Sequence, residues 1–562
     1  MKSILYAFLI VIFTSCSILA QWQLNGVAVC DTVGEQYIAT NGILSDGEGG
    51  AFVVWGDGRS GWDIYAQHVD SSGRMLWGRQ GKPICTAPGW QYAPRITIDG
   101  EGGFVAAWHD TRNDARDVYA QRVDKYGNFL WDINGIPIIN FREYQGVTDI
   151  LFTSDSCFIV VWTDDRQFPD STFVYTQKVT KSGQLLWDEE GIRVSDTWGT
   201  TKLVSDLSGG ALCIWPKTGD TGILVQHIDM YGTRLWGKIG KEASIDFAKD
   251  IDTRLSVCSD SSAGAFIAWD NDKTMNAYIQ HIDSDGNRLW GDTGIKLGAE
   301  NIEQRNPKLS LLDKETVLCI WRESPYTHFN TYDLNGNNLL PLPGNQINNY
   351  ISGPYHNIMV NKSGEIFISN FNLTTPMPNR FKIHAHKISS DGFLYWDSTG
   401  IKICDIEIDP LEKRAFLATD CSGGTIVAWD DDRNDTTGTS ETDIYIQRVY
   451  ANGRVGGDTT TSSLREPGYL PLKFELNVYP NPFNQDINIE FKLKQNMTVI
   501  IKIFDIQGRI IKSLYNGYML EGYKRYIWNG KSNSEKVVSS GIYFILFSTS
   551  NIKEIRKILL LK

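Results

Sequence analysis

One pattern, repeated eight times, constrains the fold of this chain more than any other feature of its sequence. An apolar stretch ending in Trp recurs about every 53 residues, and Asn370 replaces the Trp in the seventh copy. The copies end at Trp55, Trp108, Trp162, Trp215, Trp269, Trp321, Asn370 and Trp429. A repeat of this length is typical of propellers and solenoids, in which each unit buries its core against its neighbours.

Each copy carries the signals of four short strands. A first strand, such as 95–98, leads through a Gly-rich turn into the Trp-ending strand, a third carries Tyr-x-Gln-basic, and a fourth carries Leu-Trp. Alternating apolar and polar residues with Gly-rich turns predict antiparallel hairpins. We therefore predict an all-β chain with an eight-bladed β-propeller over residues 21–455, its Trp residues packed between blades. A β-solenoid is the alternative.

The last copy lacks its fourth strand, and the other end of the chain supplies a candidate for it. The third strand of this copy, 443–449, is followed by a turn and no Leu-Trp segment. Residues 22–30 match residues 77–85 in register. We predict that 22–30 form the outer strand of the last blade, paired with 443–449, and that Trp22 is buried against a neighbouring blade. Such a closure removes two exposed sheet edges.

The N-terminal segment predicts export. Lys2 precedes an apolar run at 4–13 that is too short to span a bilayer, and small residues follow it. We expect a signal peptide at residues 1–20, with cleavage after Ala20. A lipoprotein signal with Cys16 acylated is the alternative. No other segment has the roughly 18 apolar residues of a membrane helix, so no transmembrane span is expected.

Composition excludes several classes of protein. The chain of 562 residues has 54 Lys and Arg against 66 Asp and Glu, a net charge of −12, and no basic run. Nucleic acid is therefore not an expected partner. Nine Cys are too few for a disulfide scaffold. Cys213 and Cys319 lie at matching positions in the second strand, where we expect them to be buried and inert.

The composition changes after the last copy. Residues 456–471 are rich in Gly, Thr and Ser and predict a linker, and residues 472–562 contain short alternating strands that predict a small Ig-like β-sandwich. Its motifs are TyrProAsnPro at 479–482, PheAspIleGlnGlyArg at 504–509, TrpAsnGly at 528–530, SerGlyIleTyrPhe at 540–544 and a terminal Lys562. In this order they resemble the type A C-terminal sorting domain of the type IX (Por) secretion system.

The resemblance implies an export route. A signal peptide would lead the chain to the periplasm, and the type IX outer-membrane translocon would then bind the sorting domain at 472–562. In this family the domain is typically removed while the cargo is released or anchored to surface lipopolysaccharide. We therefore expect the protein to be secreted or attached to the outer cell surface.

Candidate binding residues lie in loops at one end of the predicted blades. The loops between strands two and three share the pattern Trp-x-Asp-x-Arg in four copies, and aromatic residues occur between strand four and the next strand one. Charges interleaved with aromatic rings suit a carbohydrate or protein ligand. The candidates are Trp90, Tyr92, Tyr144, Trp198, Asp57, Arg59, Asp110, Arg112, Asp164, Arg166, Asp431 and Arg433.

The repeated Asp and Arg residues have a second interpretation. Each pair would fix its own loop or bridge to the next blade, and repetition in four copies favours this, because structural roles repeat whereas a site should be unique. The non-repeated aromatic residues are the better binding candidates.

No catalytic residue is assigned, because GxSxG, HExxH and P-loop motifs are all missing from the sequence. We expect no cofactor and no metal site. Calcium at 283–286 or 430–432 is an open alternative, although a plain turn is favoured for 283–286. His384 and His386 face the same side of one strand but lack a third zinc ligand, so packing is favoured.

Three functions remain open. The favoured one is a secreted or surface-attached binding or structural module with a glycan or protein ligand. The alternative is a polysaccharide-processing enzyme, a glycosidase or lyase, that uses one propeller face, because this architecture hosts both kinds of protein. The third is a purely structural component of the surface layer.

Overall fold

Every element of secondary structure in the described part of the chain is a β-strand. The computed structural model describes residues 22–113, 115–167, 171–197, 199–217, 222–245, 255–271, 274–299, 302–323, 326–340, 345–347, 356–376, 379–390, 392, 394–396, 399–408, 415–435, 441–457, 476–493, 497–519, 522–534, 536–549 and 553–561. The expected signal peptide at 1–20 and most of the expected linker lie outside these residues. Within them, no helix has the length and hydropathy needed to cross a membrane.

The first part of the repeat region contains thirteen strands. They are β1 (Val27–Cys30), β2 (Gln36–Ser45), β3 (Ala51–Asp57), β4 (Asp63–Val69), β5 (Lys82–Cys85), β6 (Gln91–Ile98), β7 (Phe104–Asn113), β8 (Ala115–Val123), β9 (Ile136–Ile139), β10 (Gln145–Phe152), β11 (Phe158–Gln167), β12 (Ser171–Val179) and β13 (Ile192–Ser195).

The second part continues the same order. Its strands are β14 (Lys202–Ser205), β15 (Ala211–Pro216), β16 (Ile223–Ile228), β17 (Lys241–Ser244), β18 (Ser256–Ser259), β19 (Ala265–Asn271), β20 (Asn276–Ile282), β21 (Ile295–Lys296), β22 (Gln304–Leu311), β23 (Thr316–Glu323), β24 (Tyr326–Asp333), β25 (Asn345–Ile347), β26 (His356–Val360), β27 (Ile366–Pro376), β28 (Asn379–Ile388), β29 (Ile401–Ile408), β30 (Ala415–Thr419), β31 (Thr425–Asp431) and β32 (Asp443–Val449).

These strands form antiparallel units of four, in chain order, from β2–β5 to β26–β29. A single parallel bridge between Thr40 and Arg95 joins the first two units into one eight-stranded sheet. The predicted all-β architecture of four-stranded antiparallel units is confirmed. The closure of these units into an eight-bladed propeller stays a prediction.

The Trp-ending strand is the second in each unit and is buried on both faces. Every residue of β3 is buried, and β15, β19 and β31 share this pattern. The turn before β3 is held by Asp46, whose Oδ1 accepts the backbone N–H of Glu48 at 2.7 Å and of Gly50 at 2.8 Å. A Cβ at Gly50 would lie 2.2 Å from the carbonyl oxygen of Val69, so only glycine fits there.

The fourth strand begins later than predicted. Leu76 and Trp77 form a connection, and β5 starts only at Lys82. The reason is the buried side-chain amide of Gln67. It hydrogen-bonds the backbone of the segment before β5, where a continued strand would bond the backbone of β4. Its Oε1 accepts the Trp77 N–H at 2.8 Å, and its Nε2 donates to the Gly78 carbonyl at 2.5 Å. The same contacts are made by Gln121, Gln177, Gln226 and Gln280.

The recurrent Trp residues pack between units, as predicted. Trp131 donates its indole N–H to the carbonyl of Lys181 in the next unit at 3.0 Å, and Trp290 donates to Leu334 at 3.1 Å. The second-strand Trp residues are fully buried in clusters that draw on two neighbouring units, as Trp162 does with Val105. Aromatic burial of this kind supplies much of the energy that holds adjacent sheets together.

The N-terminal strand completes the last unit. The sheet order is β1-β32-β31-β30, and Val27 pairs with Ile446. Trp22 is 2% exposed and donates its indole N–H to the Ser71 carbonyl of the first unit at 3.0 Å. The predicted pairing with 443–449 is confirmed for Val27–Cys30, whereas residues 22–26 precede the strand. The predicted burial of Trp22 is confirmed.

The first and last units are also hydrogen-bonded to each other directly. The backbone N–H of Gln36 donates to the Thr442 carbonyl at 2.9 Å, and the Ser45 hydroxyl donates to the Thr419 carbonyl at 2.9 Å. The first strand of each unit contacts the first strand of the next unit along the chain, and β30, the first strand of the last unit, contacts β2. We refer to these first strands as the innermost strands.

The C-terminal region has a separate apolar core. Its strands are β33 (Asn477–Tyr479), β34 (Ile487–Leu493), β35 (Met497–Asp505), β36 (Ile510–Met519), β37 (Gly522–Trp528), β38 (Gly541–Thr549) and β39 (Lys553–Leu560). They form one sheet ordered β33-β34-β37 and a second ordered β36-β35-β38-β39, and side chains of both sheets share this core. The predicted strands near 487–491 and 499–504 are present as β34 and β35.

Candidate functional site

The two kinds of predicted binding loop lie at the same end of the sheets. The N–H of Thr111, near the end of β7, donates to the carbonyl of Trp90, just before β6, at 2.9 Å. The Trp90 N–H donates to the Thr111 hydroxyl oxygen at 2.7 Å. Asp165 and Tyr144 make the equivalent backbone bond at 2.9 Å. We refer to this end of the units as the loop face.

The Asp–Arg pairs on the loop face are bound inside the protein. Asp57 is completely buried and accepts the indole N–H of Trp55 at 2.7 Å and the Nε–H of Arg59 at 2.7 Å. The Arg59 guanidinium lies 4.2 Å from the ring centre of Tyr65. It also reaches the Sγ of Cys30, in strand β1 of the last unit, at 3.1 Å. Burial is the largest single effect on the pKa of Arg59 and lowers it. The hydrogen bond to Asp57 and the nearby negative groups together outweigh burial, so the pKa of Arg59 is raised.

The other three pairs repeat this arrangement. The Arg–Asp ion pairs measure 2.6 Å for Arg112–Asp110, 2.7 Å for Arg166–Asp164 and 2.6 Å for Arg433–Asp431. Each guanidinium also stacks on a Tyr of the third strand, at 3.8 Å on Tyr119, 4.1 Å on Tyr175 and 3.6 Å on Tyr445. These contacts match the second interpretation, in which each pair fixes its own loop or bridges to another unit. Arg112 and Arg433, like Arg59, reach a Cys Sγ of another unit, whereas Arg166 donates to the Glu190 carbonyl of its own unit.

The aromatic candidates are exposed or half-buried. Trp90 is 59% exposed and Tyr144 is 56% exposed. Tyr92 is half-buried, and its ring meets that of His109 edge-on with 5.0 Å between ring centres. The Tyr144 ring centre lies 5.7 Å from the Arg116 guanidinium carbon. Trp198 lies outside the described residues.

A cavity of about 770 Å³ lies among the innermost strands. Its lining includes residues of β2, β6, β10, β14, β18, β22, β26 and β30, so all eight units contribute. His109 and Arg116, which contact Tyr92 and Tyr144, also line it. Lining residues lie mostly in the first half of each innermost strand, which places the cavity toward the loop face.

Cations predominate in this cavity. Its lining carries Arg95, Arg116, Lys202 and Lys308 against one carboxylate, Asp149, among the described residues. Burial and the charge of Arg116 lower the pKa of His109 to about 3. Burial and the charge of Lys308 lower the pKa of His356 to about 3. Both histidines are therefore neutral at physiological pH.

Sequence reasoning missed this ring of residues, although a signal for it exists. Arg95, Asp149, Lys202 and Lys308 all pair with the residue that precedes the repeat Trp or its equivalent. Side chains alternate between the two faces of a strand, so residues at this register position point in the same direction in every unit, toward the cavity. Because the residue type changes from copy to copy, a search for shared motifs does not find it.

The alternative metal positions have other partners. Asp283 Oδ1 accepts the N–H groups of Asp285 at 3.0 Å and Asn287 at 2.8 Å, as in a plain hairpin turn. In the acidic stretch, Asp431 binds Arg433 and Asp432 binds Arg380 at 2.6 Å. The described residues contain no cluster of three His, Cys, Asp or Glu side chains suited to a metal ion.

Comparison with known proteins identifies only the C-terminal region. Residues 477–561 match the family described as secretion system C-terminal sorting domain. No curated protein matches the chain.

Solved structures resemble the chain weakly. PorZ of the Porphyromonas gingivalis type IX secretion system aligns with 94% of this chain and 81% of its own at 10% identity and a TM-score of 0.18. Prolyl oligopeptidase B from Galerina marginata aligns with 72% of this chain and 57% of its own at 11% identity and a TM-score of 0.39. The polysaccharide lyase Uly1 aligns with 67% of this chain and 94% of its own at 9% identity and a TM-score of 0.37. Scores below 0.5 carry no argument about fold or function.

Proposed function

Because residues 477–561 are a secretion system C-terminal sorting domain, which indicates type IX export to the cell surface or the medium, we propose that the rest of the mature chain is the exported cargo. In this proposal residues 1–20 are a signal peptide, 21–455 form the cargo domain, 456–471 are a linker and 472–562 form an Ig-like β-sandwich that binds the type IX translocon.

The cargo domain is an eight-bladed β-propeller in this proposal. Three observations support it: each unit contacts the next through its innermost strand, β30 contacts β2, and a single cavity is lined by all eight units. The hydrogen bond from Gln36 to Thr442 and the sharing of β1 join the first and last units. Closure of this kind leaves only short, protected sheet edges.

The propeller binds a ligand at the loop face, with a glycan as the favoured class. The observation that carries this proposal is the exposure of Trp90 and Tyr144 on this face, with Tyr144 beside a lining residue of the cavity. Exposed rings stack on the apolar faces of sugars, whereas the neighbouring Asp–Arg pairs are already bound within the protein.

Binding without turnover is favoured over glycoside hydrolysis. Glycosidases typically use a pair of carboxylates that flank the bond to be cleaved. Among the described lining residues of the cavity the carboxylate is Asp149, whose Oδ2 accepts the Leu203 N–H at 3.1 Å and whose Oδ1 accepts the Ile150 N–H at 3.1 Å. A carboxylate held in this way links two strands.

The test is a glycan array, followed by calorimetric titration of the best ligand. We expect Trp90→Ala and Tyr144→Ala each to weaken binding by about 1–3 kcal/mol, as for stacking residues, without unfolding the protein. Tyr126→Ala is the matched control, because Tyr126 is 73% exposed in a turn at the opposite end of the second unit. Unchanged affinity in both loop-face variants would exclude this face, and release of reducing sugar would show an enzyme instead.

A further inference from the structure

We infer that the ligand of the loop face is an anionic saccharide whose carboxylate or sulfate groups enter the central cavity. This inference rests on the proposed function and names its ligand class. A volume of about 770 Å³ lies in the range of small-molecule sites, so the cavity can hold the charged end of an oligosaccharide.

The charge of the cavity is opposite to that of the chain. The whole protein has a net charge of −12, yet its cavity gathers Arg95, Arg116, Lys202 and Lys308. Like charges placed together in a recess of low dielectric raise the local potential and attract counter-ions. An anion is the ligand that such a recess attracts.

The cations converge because of the repeat register. Arg95, Lys202 and Lys308 occupy the same position on the innermost strands of three different units, opposite the residue before the repeat Trp. Equivalent positions on these strands point toward a common axis, so cations from separate parts of the ring meet around one space. A ligand with several anionic groups matches cations arranged in this way.

One donor of the cavity wall, the Nε–H of Arg116, lacks a hydrogen-bond partner within the described residues. A buried donor without a partner costs free energy, and an incoming carboxylate or sulfate would satisfy it. The Nε2–H of the neutral His109 donates to the Val147 carbonyl oxygen at 3.2 Å, so the Nδ1 of this ring is an acceptor, which a sugar hydroxyl would satisfy.

The positive charge of the cavity also acts on its two neutral histidines. Burial is the main cause of the low pKa of His109, and Arg116 and Arg95 lower it further. Burial, Lys308 and Arg322 lower the pKa of His356. Two histidines on different strands therefore face net positive surroundings, which a bound anion would offset.

The experiment compares one saccharide with and without charge. Calorimetric titrations at low salt would use trigalacturonate, its neutral methyl ester and sodium sulfate, on the wild type and on Arg116→Gln and Lys308→Gln. We expect the acid to bind at least tenfold more tightly than the ester, and each variant to lose at least tenfold in affinity for the acid. Lys125→Gln is the control, because Lys125 pairs with Glu48 at the opposite end of the units. Thermal unfolding checks that each variant folds.

Each outcome separates this inference from the proposed function. Equal binding of acid and ester, unchanged in both variants, would overturn the anionic ligand while leaving loop-face binding intact. Binding of sulfate alone, lost in Arg116→Gln, would support the anion site and overturn the glycan. Failure of all three probes to bind would overturn the inference.

Discussion

At the scale of single residues, buried charges fix the loops of this protein. Asp57 receives hydrogen bonds from Trp55 and Arg59; Asp57 and Trp55 are fully buried, whereas the Arg59 side chain is 20% exposed. Burying an ion pair is costly, and its cost is recovered only where geometry and additional hydrogen bonds are good. Here the carboxylate accepts from an indole and a guanidinium at once, so removing it would leave the buried Trp55 N–H without a partner and the Arg59 guanidinium without its counter-charge.

Asp57→Ala should therefore destabilise the cargo domain by about 3–5 kcal/mol, the usual loss when one member of a buried pair is removed. Urea unfolding followed by Trp fluorescence measures this change. Glu48→Ala is the matched control, because its ion pair with Lys125 lies at the surface and such pairs contribute less than about 1 kcal/mol. A small effect at Asp57 would show that the pair is not needed for stability and would restore it as a binding candidate.

The sequence identifies which residues repeat but not which polar side chains are buried. Asp57 and Gln67 look alike as repeated polar residues, and only the structure shows that the first binds an indole while the second replaces a backbone partner. Arg95 and Lys202 do not look alike, although they occupy one register position. Spacing predicts hairpins well because apolar alternation sets them, whereas side-chain hydrogen bonds depend on distances between strands.

At the scale of elements, the short strand β1 joins the two ends of the repeat region. It pairs with β32, and the nearby Trp22 packs over Gly73 of the first unit, where a Cβ would lie 2.8 Å from its ring. The register match between 22–30 and 77–85 was enough to predict this pairing. The later start of β5 was not predictable, because a side chain rather than a strand signal ends the previous pairing.

Trp22→Ala should destabilise the cargo domain by about 3–5 kcal/mol, because it removes a large buried ring and leaves a cavity between the first and last units. The unfolding midpoint and the rate of limited proteolysis would both report it. Leu24→Ala, two residues away and 61% exposed, should change stability by less than about 0.5 kcal/mol. Equal stability of the two variants would mean that the Trp22 ring does not hold the first and last units together.

At the scale of the whole molecule, the sorting domain and the cargo domain have separable roles. The family match is confined to residues 477–561, and the apolar core of this region is distinct from the clusters of the repeat units. The export signal could be predicted from sequence because its motifs are read in order along the chain. The proposed anion site could not, because it is assembled from single residues of many repeats.

Deleting residues 472–562 in a host with type IX secretion should leave the cargo domain in the periplasm, because the outer-membrane translocon then has no domain to bind. Cell fractionation with immunoblotting measures the distribution. A fusion of a signal peptide, an unrelated folded protein and residues 456–562 should reach the surface in the same host. Normal surface delivery of the truncated chain would show that a second export signal exists.

The pairing of β1 with β32 also sets an order of events in time. A polypeptide leaves the ribosome from its N-terminus, so β1 emerges first and its partner emerges only after seven complete units have followed. Until then β1 has no sheet to join, and β2 lacks its contact with β30. Loop closure over so long a span is slow compared with local hairpin formation. The joining of the two ends is therefore the last pairing to become available, and a chain cut short before β32 has no strand with which β1 can pair.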